Sequence, residues 1–237
     1  MRLLLLSNSQ REGMDYLEFA RGFLRDFLDP SPANVLFLPY AAVTRSYDAY
    51  VEQVQAAFRT LGINVIGLHA DADPVAAVLA ASAIVVGGGN TWKLLRDARL
   101  QRLLPAIRNR VAGGVPYIGW SAGANLACPT IMTTNDMPIC DPGGLDALGL
   151  VPFQINPHYL HGNPPGFKGE TREERITEFC VLQPRVWVAG LRECTGLRIE
   201  NGSARLLGDA PCRVFRHGDA PRELDASVNF DFLLKGI

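Results

Sequence analysis

The 237-residue chain carries 23 Lys and Arg against 24 Asp and Glu, and its formal net charge of −1 gives no attraction for nucleic acid or for an anionic membrane surface. Hydrophobic residues make up 48% of the sequence, as in an ordinary soluble globular protein. The apolar run Leu3–Leu6 is too short for the core of a signal peptide, and no stretch approaches the roughly 20 apolar residues of a membrane span. We therefore expect a cytoplasmic protein.

Strand-like and helix-like segments alternate through the first half of the chain. Apolar segments that predict strands lie at 3–6, 34–42, 63–69, 82–90 and 115–123. Apolar residues at helical spacing predict helices over 15–28, 47–61, 74–81 and 91–95, and again over 100–112. Continuous apolar strands separated by amphipathic helices are typical of a mostly parallel sheet that is covered on both faces. The sequence therefore predicts an α/β fold.

The second half has a different pattern. A loop-rich stretch over 129–146 precedes a predicted strand and loop, FQINPHYL, and a predicted helix, GETREERITEFCVL. Three further strand-like segments follow, VWVAGL, GLRIENGSARLLG and CRVFRHG, with turn signals at Asn201-Gly202 and His217-Gly218. No linker or repeat interrupts the chain. We predict an antiparallel extension of the same sheet and a single domain over 1–237.

Ser121 is the candidate nucleophile. It stands between Gly119 and Gly123 in GWSAG, directly after the apolar strand that begins at Val115. A tight strand-to-helix turn of this kind holds a serine clear of the backbone in a nucleophile elbow. A turn that only needs small residues would have the same pattern. The later histidine and a second glycine loop at a strand end favour the elbow.

An oxyanion hole needs backbone N–H groups aimed at the reacting oxygen. The N–H of Ala122, next to the serine, is one natural donor. The glycine loop GGGN offers another, with Gly88 the first choice and Gly89 the second, since glycine lets the backbone approach closely. This loop lacks the GxxxxGK[ST] pattern of a phosphate-binding loop and lies too far along the chain for a first-strand dinucleotide fingerprint.

His158 is the candidate general base, because it directly follows an apolar strand and comes after Ser121 in the chain. The other histidines occupy a strand end, a later loop position and a hairpin turn: His69, His161 and His217. Four carboxylates are candidates to orient His158, and spacing alone does not choose among them: Asp136, Asp141, Glu170 and Glu193.

Metal and disulfide chemistry are not indicated. The five cysteines are scattered, with no C-x-x-C pair and an odd total. No H-E-x-x-H motif is present. We expect neither a metal nor another cofactor.

Several long motifs occur in order: LLLLSNS, VGGGNT, IGWSAGANLACPTI, TTNDMPI, INPH and KGETREERI. Together they resemble the peptidase E (α-aspartyl dipeptidase, dipeptidase E) family over about four-fifths of the chain. The resemblance implies a three-layer α/β/α sandwich related to class I glutamine amidotransferases. It also implies a cytoplasmic serine dipeptidase that hydrolyses Asp-Xaa dipeptides with an N-terminal aspartate, as a monomer or a homodimer.

The resemblance assigns roles to individual residues. Ser121 would be the nucleophile and His158 the general base. The third member would be either Asp136 or Glu193, and the Ser–His–Glu order of amidotransferase-like folds favours Glu193. Asp136 would then bind the substrate's α-ammonium or supplement the network. The guanidinium of Arg172 would pair with the substrate's β-carboxylate.

Asn90, in the glycine loop, is a further candidate for substrate binding.

Three other functions are compatible with parts of the pattern. A related serine hydrolase would cleave another acidic substrate, as cyanophycinases cleave a β-linked aspartyl polymer. An α/β-hydrolase esterase would share GxSxG, and a binding protein on the same sheet would use no nucleophile. The intact TTNDMP and GETRE motifs favour the dipeptidase.

Overall fold

A computed structural model describes residues 1–163, 166 and 168–235. Its strands are β1 (Arg2–Leu6), β2 (Asn34–Leu38), β3 (Asn64–Gly67), β4 (Ile84–Val86), β5 (Tyr117–Trp120), β6 (Gln154–Asn156), β7 (Val188–Gly190), β8 (Gly196–Glu200), β9 (Ser203–Leu207), β10 (Cys212–Phe215) and β11 (Arg222–Leu224). Its α-helices are α1 (Arg21–Phe27), α2 (Tyr47–Arg59), α3 (Pro74–Ala80), α4 (Thr91–Leu100), α5 (Leu103–Ala112), α6 (Ala122–Ala127) and α7 (Arg172–Leu182). None of the helices in the described ranges combines the length and the hydrophobicity that a membrane-spanning helix requires.

Seven strands form the main sheet, in the order β3-β2-β4-β5-β1-β8-β9. The first five are parallel, and β8 and β9 continue the sheet in antiparallel fashion at the β1 edge. In the register, Val86 pairs with Gly119, and Leu6 pairs with Trp120. The carboxyl ends of β4, β5 and β1 therefore meet at one edge, which is where active sites form in open α/β sheets.

Helices cover both faces of this sheet. Along β1, Leu3 and Leu5 belong to one apolar cluster and Leu4 and Leu6 to another, because successive side chains of a strand point to opposite faces. The first cluster includes residues of α3, α4, α5 and α6, and the second includes residues of α1 and α2. The predicted α/β fold, with a mostly parallel sheet between two layers of helices, is confirmed.

The prediction that the later strands extend the same sheet is wrong for two of them. β7 and β10 belong to a second, four-stranded sheet in the order β11-β10-β7-β6, whereas β8 and β9 extend the main sheet as predicted. β7 pairs in parallel with β6, and α7 contributes Ile176 and Cys180 to a small apolar cluster with Val188 of β7. The second sheet thus has its own helix to cover it.

The first predicted helix is shorter than its apolar spacing suggests. The spacing predicts a helix over 15–28, but α1 begins at Arg21. Leu17 has a φ of 57°, a left-handed conformation that an α-helix does not contain, and its N–H donates to Ser9 O. Arg102, with the same φ of 57°, separates α4 from α5.

Candidate active site

Ser121 occupies a strained turn between β5 and α6. Its φ of 51° and ψ of −110° lie in a region that residues other than glycine rarely adopt. The N–H of Ser121 donates to Leu6 O at 3.0 Å, which ties the turn to the end of β1. Among residues that are not glycine, such strain persists only where the surroundings impose it, as they do in a nucleophile elbow.

The two glycines that flank the serine are required by contact. A Cβ on Gly119 would lie 2.4 Å from Gly123 O, and a Cβ on Gly123 would lie 2.2 Å from Val86 O at the end of β4. Both distances are far below van der Waals contact. The GxSxG pattern therefore lets α6 begin directly against the neighbouring strand.

His158 contacts both Ser121 and Glu193. Its Nε2 lies 3.2 Å from Ser121 Oγ, and its Nδ1 lies 3.3 Å from Glu193 Oε1. With Nδ1 protonated and donating to the carboxylate, Nε2 is free to accept the serine proton. The structure thus brings together a nucleophile, a base and an orienting carboxylate.

Ser7 and Asn8 position these groups, and neither residue was identified from the sequence. Ser7 Oγ accepts from the His158 N–H at 2.8 Å and donates to Leu191 O at 2.8 Å. Asn8 Oδ1 accepts from the N–H of Cys194, next to Glu193, at 2.8 Å. His158 and Cys194 have φ of 52° and 61°, so each strained backbone is held by a side chain at the end of β1. Both Ser7 and Asn8 are fully buried.

Gly88, the first choice for the oxyanion hole, lies beside the serine. A Cβ on Gly88 would lie 3.1 Å from Ser121 Cβ. Its carbonyl accepts from the buried hydroxyl of Tyr50 at 2.9 Å, and that hydroxyl also accepts from Trp120 Nε1 at 3.2 Å. Burial raises the pKa of Tyr50 well above its ordinary value, which keeps this donor protonated. Ala122 is the first residue of α6, where a helix leaves its N–H groups without intrahelical acceptors.

Asp136 and Asn90 lie together at the start of α4. Asp136 Oδ2 accepts from the N–H and hydroxyl of Thr91 at 2.8 and 2.5 Å. Asn90 caps the helix through Lys93 N–H and donates to Met137 O. These bonds join the TTNDMP loop to the glycine loop. Of the two carboxylates, Asp136 therefore contacts Thr91, and Glu193 contacts His158. Substrate binding by Asp136 and Asn90 stays a prediction.

The other candidates contact different partners. Asp141 accepts from Gly143 N–H, and Glu170 pairs with Arg175. His161 pairs with Glu173, and His69 with Asp48. Among the described residues, no three His, Cys, Asp or Glu side chains form a group that could hold a metal ion.

Arg172, at the start of α7, lies half-buried beside the histidine. One of its nitrogens donates to Pro157 O, the carbonyl directly before His158, at 3.4 Å. Burial and the neighbouring Arg175 lower the pKa of Arg172, although Glu193 acts in the opposite sense. With His158 and Glu193, Arg172 lines a cavity of about 580 Å³, a size typical of small-molecule sites. The arrangement can hold an anionic group next to the base.

Comparison with known proteins identifies the family. Residues 3–207 match the model of peptidase family S51. Peptidase E from Nostoc sp. is 47% identical over 99% of this chain and 97% of that protein, and peptidase E from Salmonella typhimurium is 48% identical over 97% of this chain and all of that protein. The crystal structure of a peptidase from an acI-B1 actinobacterium shares the fold, with a TM-score of 0.71 at 17% identity over 97% of this chain and 96% of that one. The chain therefore belongs to peptidase family S51 and is a serine-type peptidase.

Proposed function

We propose that this peptidase hydrolyses Asp-Xaa dipeptides with an N-terminal aspartate through an acyl-enzyme on Ser121. The observation that carries the proposal is the hydrogen-bonded chain Ser121–His158–Glu193 with the Arg172 guanidinium beside it. The chain supplies a nucleophile and its base, and the guanidinium supplies a partner for a substrate carboxylate.

In the acylation step, Ser121 Oγ attacks the carbonyl carbon of the N-terminal aspartate while its proton passes to His158 Nε2. Glu193 stabilises the imidazolium that forms. The N–H groups of Gly88 and Ala122 hold the oxyanion of the tetrahedral intermediate. When the carbon–nitrogen bond breaks, His158 returns the proton to the leaving amine, and an aspartyl ester remains on Ser121.

Deacylation repeats the same proton transfers with water. His158 Nε2 takes a proton from water as the oxygen attacks the ester carbon. The bond to Ser121 Oγ breaks, the proton returns to that oxygen, and aspartate leaves. One water is consumed, and the products are aspartate and the second amino acid.

Specificity for aspartate would come from Arg172. A guanidinium pairs with a carboxylate through two parallel hydrogen bonds, and partial burial strengthens such a pair relative to one in open water. Asparagine in place of aspartate would leave the half-buried charge without a partner. An uncharged or misplaced side chain should therefore be rejected strongly.

The test is a substrate panel with the wild-type enzyme and the Arg172→Ala variant: Asp-Leu, Asn-Leu, Glu-Leu, Ala-Leu and β-linked Asp-Leu. We expect the wild-type enzyme to cleave Asp-Leu alone at an appreciable rate. Arg172→Ala should reduce the preference for Asp-Leu over Asn-Leu by about a hundredfold. Arg185 is an exposed arginine in the loop after α7, and the control variant Arg185→Ala should leave this preference unchanged.

Other results would point to other functions. Preferential cleavage of β-linked Asp-Leu would indicate a cyanophycinase-like hydrolase. Binding of Asp-Leu without cleavage would indicate a binding protein on the same fold. All five cysteines are free thiols, which suits a reducing compartment, and we propose a cytoplasmic location, which cell fractionation would test.

A further inference from the structure

The cavity beside His158 holds more positive charge than one substrate carboxylate requires. Three arginines line it, against a single carboxylate, Glu193: Arg11, Arg172 and Arg192. Arg192 is neutralised, because both of its terminal nitrogens contact Glu223 at 2.7 Å. In the part of the chain that the structure describes, that is the one carboxylate ion pair made by a cavity arginine.

Two guanidinium groups thus remain for a ligand. An Asp-Xaa dipeptide carries two carboxylates, one on the aspartate side chain and one at its C-terminus. The proposed function assigns the first to Arg172. We propose that Arg11 binds the C-terminal carboxylate and thereby limits the enzyme to dipeptides; this inference rests on the proposed function.

The placement of the two arginines favours this division. Arg172 is half-buried and donates to the carbonyl before His158, so its guanidinium is held beside the base. This position suits the aspartate side chain, whose carboxylate lies at a fixed, short distance from the scissile bond. Arg11 is exposed in the loop after β1, which suits the end of the peptide that faces solvent. His158 lines the cavity and contacts Ser121, so the scissile bond lies where the cavity meets the serine. From that point the aspartate side chain would extend to Arg172, beside His158, and the leaving residue would extend toward Arg11.

The loop of Arg11 is held in place relative to the catalytic groups. Asn8 Nδ2 donates to Gln10 O at 3.0 Å, while its Oδ1 accepts from Cys194 N–H. Met14 N–H closes the turn by donating to Arg11 O at 3.1 Å. One buried side chain thus fixes both the residue before Arg11 and the residue after Glu193.

Dipeptide selectivity follows from distance. Each additional residue moves the terminal carboxylate by up to about 3.5 Å, so a tripeptide would carry its charge past Arg11 and leave an uncharged peptide group there. Charge-assisted hydrogen bonds weaken steeply with distance and angle.

The experiment compares Asp-Leu with Asp-Leu amide, which has the same scissile bond and no terminal carboxylate. We expect the wild-type enzyme to favour Asp-Leu by about tenfold or more in kcat/KM. Arg11→Ala should bring this ratio near one, and Arg11→Lys should restore part of it. Arg172→Ala should lower both rates and keep the ratio, and Arg21→Ala, an exposed arginine of α1, should behave as wild type.

A preserved ratio in Arg11→Ala would overturn the inference, as would a ratio that collapses in Arg172→Ala instead. Either result leaves the hydrolysis of Asp-Xaa dipeptides standing, provided that the wild-type enzyme cleaves Asp-Leu, but the second would remove Arg172 as the partner of the aspartate side chain. Failure to cleave either compound would contradict the proposed function itself. Circular dichroism of each variant separates loss of binding from loss of fold.

Discussion

Ser7 holds His158 by its backbone: Ser7 Oγ accepts the His158 N–H at 2.8 Å while donating to Leu191 O. The bond joins the end of the central strand β1 to a residue 151 positions later, in the loop after β6. Because the φ of His158 is 52°, its backbone would relax without this partner, and the imidazole would move with it. Ser7 is thus a positioning residue for the base.

Ser7→Ala should lower kcat by about tenfold to a hundredfold with little change in KM, because a small misplacement of a catalytic group affects the chemical step more than binding. Steady-state kinetics on Asp-Leu would measure both constants. Ser7→Thr, which retains a hydroxyl, should recover part of kcat, and the exposed Ser82→Ala should have no effect. An equal loss of folded protein and of activity would indicate a purely structural role.

Replacing Glu193 and Asp136 in turn by the corresponding amides should separate the roles of the two carboxylates. Glu193→Gln should lower kcat by about a hundredfold or more, since the amide cannot stabilise the imidazolium as the carboxylate does. Asp136→Asn should instead lower the free energy of unfolding by about 1–2 kcal/mol, through its bonds to the N-terminus of α4. Kinetics and denaturant unfolding of both variants would test this assignment. A rise in KM alone for Asp136→Asn would support ammonium binding there, and a larger loss of kcat in Asp136→Asn than in Glu193→Gln would contradict the assignment.

Gly123→Ala should damage the elbow. The added methyl group would lie 2.2 Å from Val86 O, so either α6 or β4 must shift, at a cost of about 3 kcal/mol or more. We expect a lower melting temperature and loss of activity together. Gly113→Ala is the matched control, since its Cβ would meet the nearest atom at an ordinary 3.4 Å. Unchanged stability in Gly123→Ala would show that the backbone adjusts at little cost.

The ion pairs of Asp97, on α4, should make the free energy of unfolding depend on pH. Burial raises the pKa of its carboxyl, but hydrogen bonds from Lys93 and Arg96 at 2.7 and 2.8 Å outweigh this effect and leave the pKa below its ordinary value. A carboxyl whose pKa is lower in the folded state stabilises that state above the unfolded value, roughly 3.9, and less as the pH falls through the folded value.

Asp97→Asn should therefore lower the free energy of unfolding by about 2 kcal/mol at neutral pH. The difference from wild type should shrink as the pH falls below about 4. Urea unfolding at a series of pH values would measure it, with the exposed Asp26→Asn as control. A difference that stays constant with pH would contradict the ion-pair explanation.

The order of strands and helices and the elbow itself could be predicted, because hydrophobic periodicity and the GWSAG motif are local properties of the chain. The contact between His158 and Glu193 depends on how two loops meet, each at the end of a different strand of the second sheet. Ser7 and Asn8 could not be found from sequence, since short polar residues after a strand resemble a solvated loop, yet both are fully buried. The apolar pattern of β7 and β10 predicts strands but does not indicate which of the two sheets they join.

Hydrolysis of Asp-Leu should depend on Ser121 above all other residues. The most direct test is kcat/KM for Asp-Leu with wild-type enzyme and with Ser121→Ala, both shown to be folded by circular dichroism. We predict a loss of about 10⁴-fold or more, as expected when the nucleophile of such a triad is removed. Hydrolysis by Ser121→Ala within about tenfold of the wild-type rate would show that Ser121 is not the nucleophile.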